Sequence, residues 1–528
     1  MKTSFLHKTL CLTTTFALPF TPNALADIHL ATLFSDGAVL QRGIDAPVWG
    51  TADAGEVITA SFNGKQAKTT ADNSGRWLLK FSAMPAGGPF ELAVSGKNTV
   101  VVHNVAVGEV WVASGQSNME FPLSTFAPNV PVYGPKARTE IAAANDPLLR
   151  MFTVAKKMSP DGAIDNTPGP DGAWKAATPL EAGKFSAVAY YYACELRHKL
   201  NVPVGIIHTS WGGTPAEAWT SHRALAADVR LQPLFASWDK KLADYPAEQK
   251  KYEEQTLRSW QQKVEQAKVA GKSAPAKPRP PEGPNSPHRL STLFNAMVNP
   301  LIPYGIKGAI WYQGESNSGD PATYKTLFPA MIKDWRSRWN QGEFPFLFVQ
   351  LANFQAVQKQ PVEGGWAFLR EAQLMTLRLP NTGMALAIDL ADPEKPDDVH
   401  PHNKREVGRR LSLIALAKVY DQQVASYSGP IYSGFKIAGN KVRLSFNHAD
   451  GGLVARNGNL KGFAIAGKDC NFVWGDAKIE GGEVVVSSQQ VAEPAAVRYN
   501  WAMNPIGNLY NKEGLPASSF RTDIEAPH

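Results

Sequence analysis

A rhythm running from about residue 109 to about residue 420 constrains this chain most: short apolar strand candidates alternate with stretches of helical spacing. The strand candidates are 109–113, 204–209, 306–312, 346–351 and 384–389, and the helical stretches between and after them are 186–200, 321–339, 367–378 and 403–420. Strands rich in Val, Ile and Phe and separated by helices are the signature of parallel βαβ crossovers, since a parallel pair needs a long connection and buries both faces of its sheet. The spacing therefore predicts an α/β fold built on a doubly wound parallel sheet. In such a sheet ligands bind just beyond the carboxyl ends of the strands.

The flanks read differently. Residues 28–106 hold short alternating segments, among them 57–62, 77–81 and 90–94, separated by Asn63-Gly64, Asn73-Ser74-Gly75 and Gly87-Gly88. Turn residues at that spacing predict a small antiparallel β-sandwich, taken as an accessory domain over 27–106. Alternation returns at 441–446 and 483–487, which predicts a β-rich C-terminal domain over 426–528. Between them, 107–425 forms the predicted catalytic domain, interrupted at about 221–288. That interruption is rich in Ala, Lys, Gln and Glu to about residue 272 and in Pro over 275–287, and reads as a surface helical insertion followed by an extended linker. Several domains are expected in 528 residues, because one hydrophobic core stops growing at roughly 250 to 300.

The N-terminus reads as an export signal. Lys2 and Lys8 lead into an apolar run over 9–20, and Ala24-Leu25-Ala26 supplies a small-x-small cleavage site, so the mature chain is expected to start at Asp27, in the periplasm or outside the cell. The run is too short, and too broken by Pro19 and Pro22, to span a bilayer, and no later stretch qualifies. Two of the positive charges behind the formal +7 lie in this signal, and no Lys/Arg run makes a nucleic-acid patch, so nucleic acid is not an expected partner. Of the three cysteines, Cys11 leaves with the signal and Cys194 falls in an apolar helical pattern as a buried thiol. A Cys194–Cys470 disulfide is allowed in an oxidising compartment but not required.

Chemistry concentrates at the predicted strand ends. Ser117 stands in Ser114-Gly115-Gln116-Ser117-Asn118-Met119-Glu120, directly after the first parallel strand, where a hydroxyl can face the crevice. Met119 fills the last position of a Gly-x-Ser-x-Gly elbow, which argues against an ordinary α/β-hydrolase. Asp397-Asp398-Val399-His400-Pro401-His402-Asn403 follows the last strand. A serine hydroxyl needs an imidazole to accept its proton, and the imidazole needs a carboxylate to fix its tautomer; this loop holds both. Asn403 with Glu406 also reads as a helix cap. Ser210-Trp211-Gly212-Gly213-Thr214-Pro215 and Trp311-Tyr312-Gln313-Gly314-Glu315-Ser316-Asn317 follow two further strands, offering close backbone approach and amide donors of the kind an oxyanion requires.

Together, Gly108-Glu109-Val110-Trp111 with the Ser117 motif, the 311–317 block, and Asp398-Val399-His400-Pro401 with Asn403-Lys404 and Val407-Gly408-Arg409-Arg410-Leu411 resemble the sialate O-acetylesterase family of SGNH-type hydrolases. The likeness spans nearly the whole mature chain, and 33–42 resembles that family's N-terminal sandwich. The resemblance implies a flavodoxin-like SGNH sheet and metal-free, cofactor-free acyl transfer on an O-acetylated carbohydrate. Ser117 would be nucleophile and His400 base, with Asp398 as acid (Asp397 the alternative). The Ser117 N–H, Gly212, Gly213 and Gln313 would bind the oxyanion, with Asn317 as alternative side-chain donor, because the 313–317 block replaces a simple Gly-x-Asn-Asp. Gln116, Asn118, Glu315 and Trp211 are the expected substrate contacts.

Three other readings compete. A glycoside hydrolase would use two carboxylates, for which Glu315 and Asp389 stand at strand ends, but it leaves Ser117, His400 and the Gly-Gly loop idle. A metal hydrolase could draw on His400-x-His402 with Asp397 or Asp398, but no further cluster completes a site. A non-catalytic carbohydrate-binding protein would suit the β-rich flanks. The sugar itself stays open. A sialate carboxylate calls for a cation, with Arg223, Arg289 and Arg370 as candidates, while neutral sugars of acetylated xylan or xyloglucan call for an aromatic platform such as Trp211, Trp219, Trp311 or Trp366.

Overall fold

The computed structural model describes residues 27–126, 134–164 and 173–523; the expected export signal lies outside them. The protein is of mixed α/β architecture. Its central sheet contains six parallel strands: β1 (Thr99–Gly115), β2 (Asp146–Thr153), β3 (Val204–Ser210), β4 (Gly308–Tyr312), β5 (Phe346–Gln350) and β6 (Thr382–Leu386). Their spatial order is β2-β3-β1-β4-β5-β6, with a short antiparallel edge strand, Lys175–Ala177, beside β2. Strands β3, β4, β5 and β6 are buried at every position, as a sheet covered on both faces demands.

Five helices matter for the site: α1 (Ser117–Glu120), α2 (Ala187–Leu200), α3 (Pro321–Trp339), α4 (Gly365–Met375) and α5 (Lys404–Lys418). Their ends follow local chemistry. The Ser186, Asp320 and Asn403 side chains accept from the N–H groups of Ala189, Thr323 and Glu406, and α2 and α3 stop at Asn201 and Asn340, both in the left-handed region. The order reverses at β1: the chain passes to β2 and β3 on one side and to β4, β5 and β6 on the other, which opens a crevice at the carboxyl end of β1.

Three expectations change. The boundary expected between 106 and 107 falls inside β1, which runs unbroken from an antiparallel pairing with Gly87–Ser95 into the centre of the parallel sheet. The N-terminal strands share one continuous apolar core with the α/β part. Second, β2 has no counterpart among the predicted strands, because only its inner half, Leu149 to Phe152, is buried. Third, the Pro-rich segment does not hang free. The insertion rises as Gln232–Lys251 and Leu257–Val269, joined by one wide helical turn, and the prolines pack back on it: the Tyr252 hydroxyl donates to the Pro278 carbonyl at 3.0 Å and the Trp260 indole to Pro275 at 2.9 Å.

Beyond residue 430 the chain forms two four-stranded sheets and a two-stranded ladder around a second apolar core. Cys194 and Cys470 are unpaired, the first within the helix α2 and the second on the surface. Burial pushes the Cys194 thiol up to about 12. Among the described residues no helix is long and apolar enough to cross a membrane.

Candidate active site

The end of β1 is shaped by a close approach. Gly115 has φ 139°, and a Cβ there would lie 2.1 Å from the Tyr312 carbonyl oxygen, so only glycine lets β1 and β4 run side by side to their ends. The chain then turns: the Gln116 N–H donates to the Tyr312 carbonyl at 3.0 Å, and Ser117 opens α1, whose Met119 and Glu120 N–H groups both donate to the Gln116 carbonyl at 2.9 Å, so that the Ser117 N–H comes before the first intrahelical bond. Opposite, the segment after β6 returns across the carboxyl edge of the sheet to α5 and carries His400.

These segments meet. The Ser117 hydroxyl lies 3.0 Å from His400 Nε2, and His400 Nδ1 lies 3.0 Å from Asp398 Oδ1. The same carboxylate oxygen accepts the His400 backbone N–H at 3.0 Å, while Asp398 Oδ2 lies 3.4 Å from His402 Nε2. Phe121 meets the His400 ring edge-on at a centroid distance of 4.7 Å. Burial alone would raise the Asp398 carboxyl, but the His400 N–H and ring outweigh it and hold the group below its ordinary range. Burial first, then the nearby Lys404 charge, holds the His400 imidazole below its ordinary value, against the pull of Asp398. Asp397 is exposed.

The Gly-Gly loop after β3 lies against the same turn. A Cβ on Gly212 would stand 3.3 Å from Ser117 Cβ, so the loop backbone passes directly over the hydroxyl-bearing residue. The Gly212 N–H donates to the Glu120 carboxylate, whose other oxygen takes the Lys156 amine. Gly213 sits exposed at the rim. Trp211 is half-buried, with its backbone N–H on the Gly115 carbonyl at 3.1 Å and the Lys156 amine 5.4 Å from its ring.

The block after β4 departs from expectation. Gln313 is wholly buried, and its amide N donates to Asn317 Oδ1 at 2.6 Å and to the Thr214 carbonyl at 3.3 Å, so both hydrogens are committed inside the wall. Asn317 is half-buried; its oxygen also accepts the Ala216 N–H at 2.9 Å, and its nitrogen donates once, to Glu217 at 2.9 Å, leaving one hydrogen over. Gln116 and Asn118 are buried too: Gln116 Oε1 accepts the Ser316 N–H at 3.2 Å, and Asn118 donates to the Glu315 carboxylate and to the Val399 carbonyl. Burial pushes the Glu315 carboxyl up. These three brace the turn from beneath.

Other sequence candidates are spoken for. Asp389 takes the Arg410 guanidinium in two bonds of 2.6 and 2.9 Å and the Tyr510 hydroxyl at 3.1 Å, which removes it as a glycosidase carboxylate. Arg370 is wholly buried and donates to the carbonyls of Leu351, Ala352, Ala502 and Met503. Arg223 lines a surface groove with Arg230 and Lys325, and Arg289 lies 4.0 Å from Asp161. Trp219, Trp311 and Trp366 are core residues. Glu120 and Lys156 were not legible as site residues, since only the fold brings Lys156 to Glu120.

Residues 288–417 match the family model described as carbohydrate esterase, sialic acid-specific acetylesterase. The chain is 29% identical over 452 residues to the sialate O-acetylesterase of Mus musculus, covering 80% of this chain and 79% of that one. It is 27% identical over 453 residues to the human sialate O-acetylesterase, covering 80% and 76%. Among solved structures, a carbohydrate acetylesterase from Xanthomonas citri superposes with a TM-score of 0.78 at 39% identity, covering 94% of this chain and all of that one.

Proposed function

Since this chain belongs to the sialate O-acetylesterase family of carbohydrate esterases, and is thus a carboxylic ester hydrolase, we propose that it cleaves O-acetyl esters of carbohydrate through a Ser117–His400–Asp398 acyl-enzyme mechanism on a flavodoxin-like SGNH sheet. The observation that carries this is the chain of two 3.0 Å contacts from the Ser117 hydroxyl through both nitrogens of His400 to Asp398. His400 Nε2 takes the hydroxyl proton as Ser117 Oγ attacks the acetyl carbon. The negative charge gathers on the former carbonyl oxygen, and Asp398 offsets the positive charge formed on His400. His400 then gives the proton to the departing sugar oxygen, leaving acetyl-Ser117, which water hydrolyses by the same steps in reverse roles.

For the oxyanion we assign the Ser117 N–H, the Gly212 N–H and the spare Nδ2 hydrogen of Asn317, in place of Gln313; Gly213 forms the rim. Substrate must draw Glu120 off the Gly212 N–H for that donor to act. As substrate we favour an O-acetylated neutral polysaccharide, such as xylan or xyloglucan, seated on Trp211. The cation nearest that ring, Lys156, is neutralised by Glu120 rather than free to take a sialate carboxylate. We read 1–26 as an export signal, 27–106 as an N-terminal β region sharing the catalytic core, 107–425 as the catalytic part with its 221–288 insertion, and 426–528 as a C-terminal β region.

Acetate release from acetylated xylan, acetylated xyloglucan and O-acetyl sialate, measured for the parent and for Ser117→Ala, tests both levels. Release from the polysaccharides that vanishes in Ser117→Ala is expected. Release from sialate alone would overturn the substrate assignment, and an active Ser117→Ala would overturn the mechanism.

A further inference from the structure

The wall beneath Ser117 and His400 holds a lysine to which the acyl-transfer steps give no role. Lys404 opens α5 and is 1% exposed. Its amine donates to Asn118 Oδ1 and stands 5.4 Å from the Tyr312 ring centroid and 5.8 Å from that of Phe126. Asn118 in turn donates to the Val399 carbonyl at 3.1 Å and to the Glu315 carboxylate. Asn118 follows the nucleophile in the chain, and Val399 precedes the base. A single side-chain amide therefore ties the His400 loop to the Ser117 turn. An ammonium has donors only, so Lys404 fixes which end of that amide is which: the oxygen faces the lysine, and both N–H donors are left for Val399 and Glu315.

A cation this deep is retained at a cost unless something nearby needs it. Burial brings the Lys404 ammonium down to about 7, opposed by the carboxylates of Glu315 and Asp398, so below that pH it carries its charge. The ionisable groups facing His400 are Asp398, His402 and Lys404, with Asp392 behind His402 at 3.4 Å. Of these, only Lys404 is both wholly buried and tied to the loop.

The geometry points to Lys404 as a positioning residue for ester hydrolysis: through Asn118 it holds the His400 loop in register with Ser117, and its ammonium opposes a second positive charge on His400. This rests on His400 being the base. Lys404→Met keeps the length of the side chain while removing its charge and its donor. Full-length Lys404→Met, Asn118→Ala and parent are compared on p-nitrophenyl acetate across pH, with the His400 ring followed by NMR titration.

For Lys404→Met, kcat is expected to fall by about 10- to 100-fold, the scale on which small misplacements of reacting groups act, with KM within about twofold because Lys404 does not touch substrate. The acid limb of kcat/KM and the His400 NMR midpoint should both move to higher pH. Asn118→Ala, which keeps the cation but cuts the tie, should lose kcat with a smaller displacement of the limb. Parental kcat and an unmoved limb in Lys404→Met, with only thermal stability reduced, would overturn the proposal. Should Lys404→Met fail to fold, parental kcat in Asn118→Ala would do so. An active His400→Gln would refute the base assignment, and this role with it.

Discussion

Replacing Asp398 by Asn separates two things a triad carboxylate does, and this structure sets how much each contributes. In a serine protease the equivalent change lowers kcat by about 10⁴, because the amide favours the wrong imidazole tautomer. Here one oxygen, Oδ1, accepts both the His400 ring N–H and the His400 backbone N–H. In Asp398→Asn the amide oxygen can keep both bonds, with its NH₂ turned toward His402 Nε2, which lies 3.4 Å from Oδ2 in the parent. The tautomer is then preserved, and the loss is mainly the missing negative charge opposite the imidazolium. Unit charges 3.0 Å apart attract by about 5.5 kcal/mol at an effective dielectric of about 20 and about 2.8 kcal/mol at about 40. With side chains 28% and 34% exposed, solvent screening favours the lower figure.

At 1.36 kcal/mol per tenfold, Asp398→Asn should therefore lower kcat by about 10² to 10⁴, nearer the lower end. Asp397→Asn should cost less than about threefold, since an exposed neighbour contributes only a screened charge. Both variants, matched to the parent in thermal unfolding, would be assayed on p-nitrophenyl acetate at one pH above the acid limb. A crippled Asp397→Asn would refute the acid assignment. A loss under tenfold in Asp398→Asn would show that another group stabilises the imidazolium.

Because imidazolium cannot accept a proton, kcat/KM should rise with pH through the His400 ionisation, with a midpoint below the ordinary value of about 6.5, since burial and Lys404 both disfavour the charged ring; a pH-rate profile with its midpoint above that value would contradict this. Chelators should leave the rate unchanged, and zinc-restorable loss in EDTA would support the metal reading. Asn317→Ala should lower kcat by about 10² to 10³ with little change in KM, as expected for an oxyanion donor; a loss under tenfold in steady-state kinetics would return the role to another group. Gly115→Ala should destabilise the fold by about 3 kcal/mol through overpacking and backbone strain, and a parental thermal midpoint would show that β1 and β4 can separate freely.

The parallel core was readable because its strands are short, apolar and separated by helical periods: 346–351 was expected where β5 spans Phe346–Gln350, and 321–339 coincides with α3. Strand β2 escaped because its first residues, Asp146 and Pro147, resemble a turn and only its inner half is buried. The side-chain donor after β4 could not be chosen from spacing, since Gln313 and Asn317 sit within one turn. In the fold, Gly314 at φ 150° and the tight helical turn Glu315–Asn317 that follows bury Gln313 in the wall and leave Asn317 half-buried, which supports the proposal of Asn317. Likewise Asp397 and Asp398 are neighbours in the chain, and only the course of the loop turns one inward and the other to solvent. The tryptophans show the same limit: composition offers fourteen, yet of the four nearest the motifs only Trp211 is not core.

His400 and Asp398 ride on a segment, 387–403, with no helix or strand of its own, and ordering such a chain costs about 1 to 2 kcal/mol per residue. What offsets that cost comes largely from outside the parallel sheet. Asn353 takes the Ala391 N–H on its oxygen and donates to Asn504 at 2.9 Å; the Gln355 N–H donates to the Pro396 carbonyl at 2.7 Å, and Asn504 donates to the Gln355 carbonyl. Tyr510 reaches Asp389, which is itself clamped by Arg410 of α5. Arg370, buried in α4, donates to carbonyls on both sides of this junction, at Leu351 and Ala352 and at Ala502 and Met503. Ser117 is thus set by the end of a long strand shared with the N-terminal β region, while the loop that carries His400 is braced by Asn353, Gln355 and Arg410 of the α/β part and, through Tyr510 and Asn504, by the C-terminal β region. The 3.0 Å separation of Ser117 and His400 therefore depends on supports from the N-terminal strand, the α/β part and the C-terminal β region together.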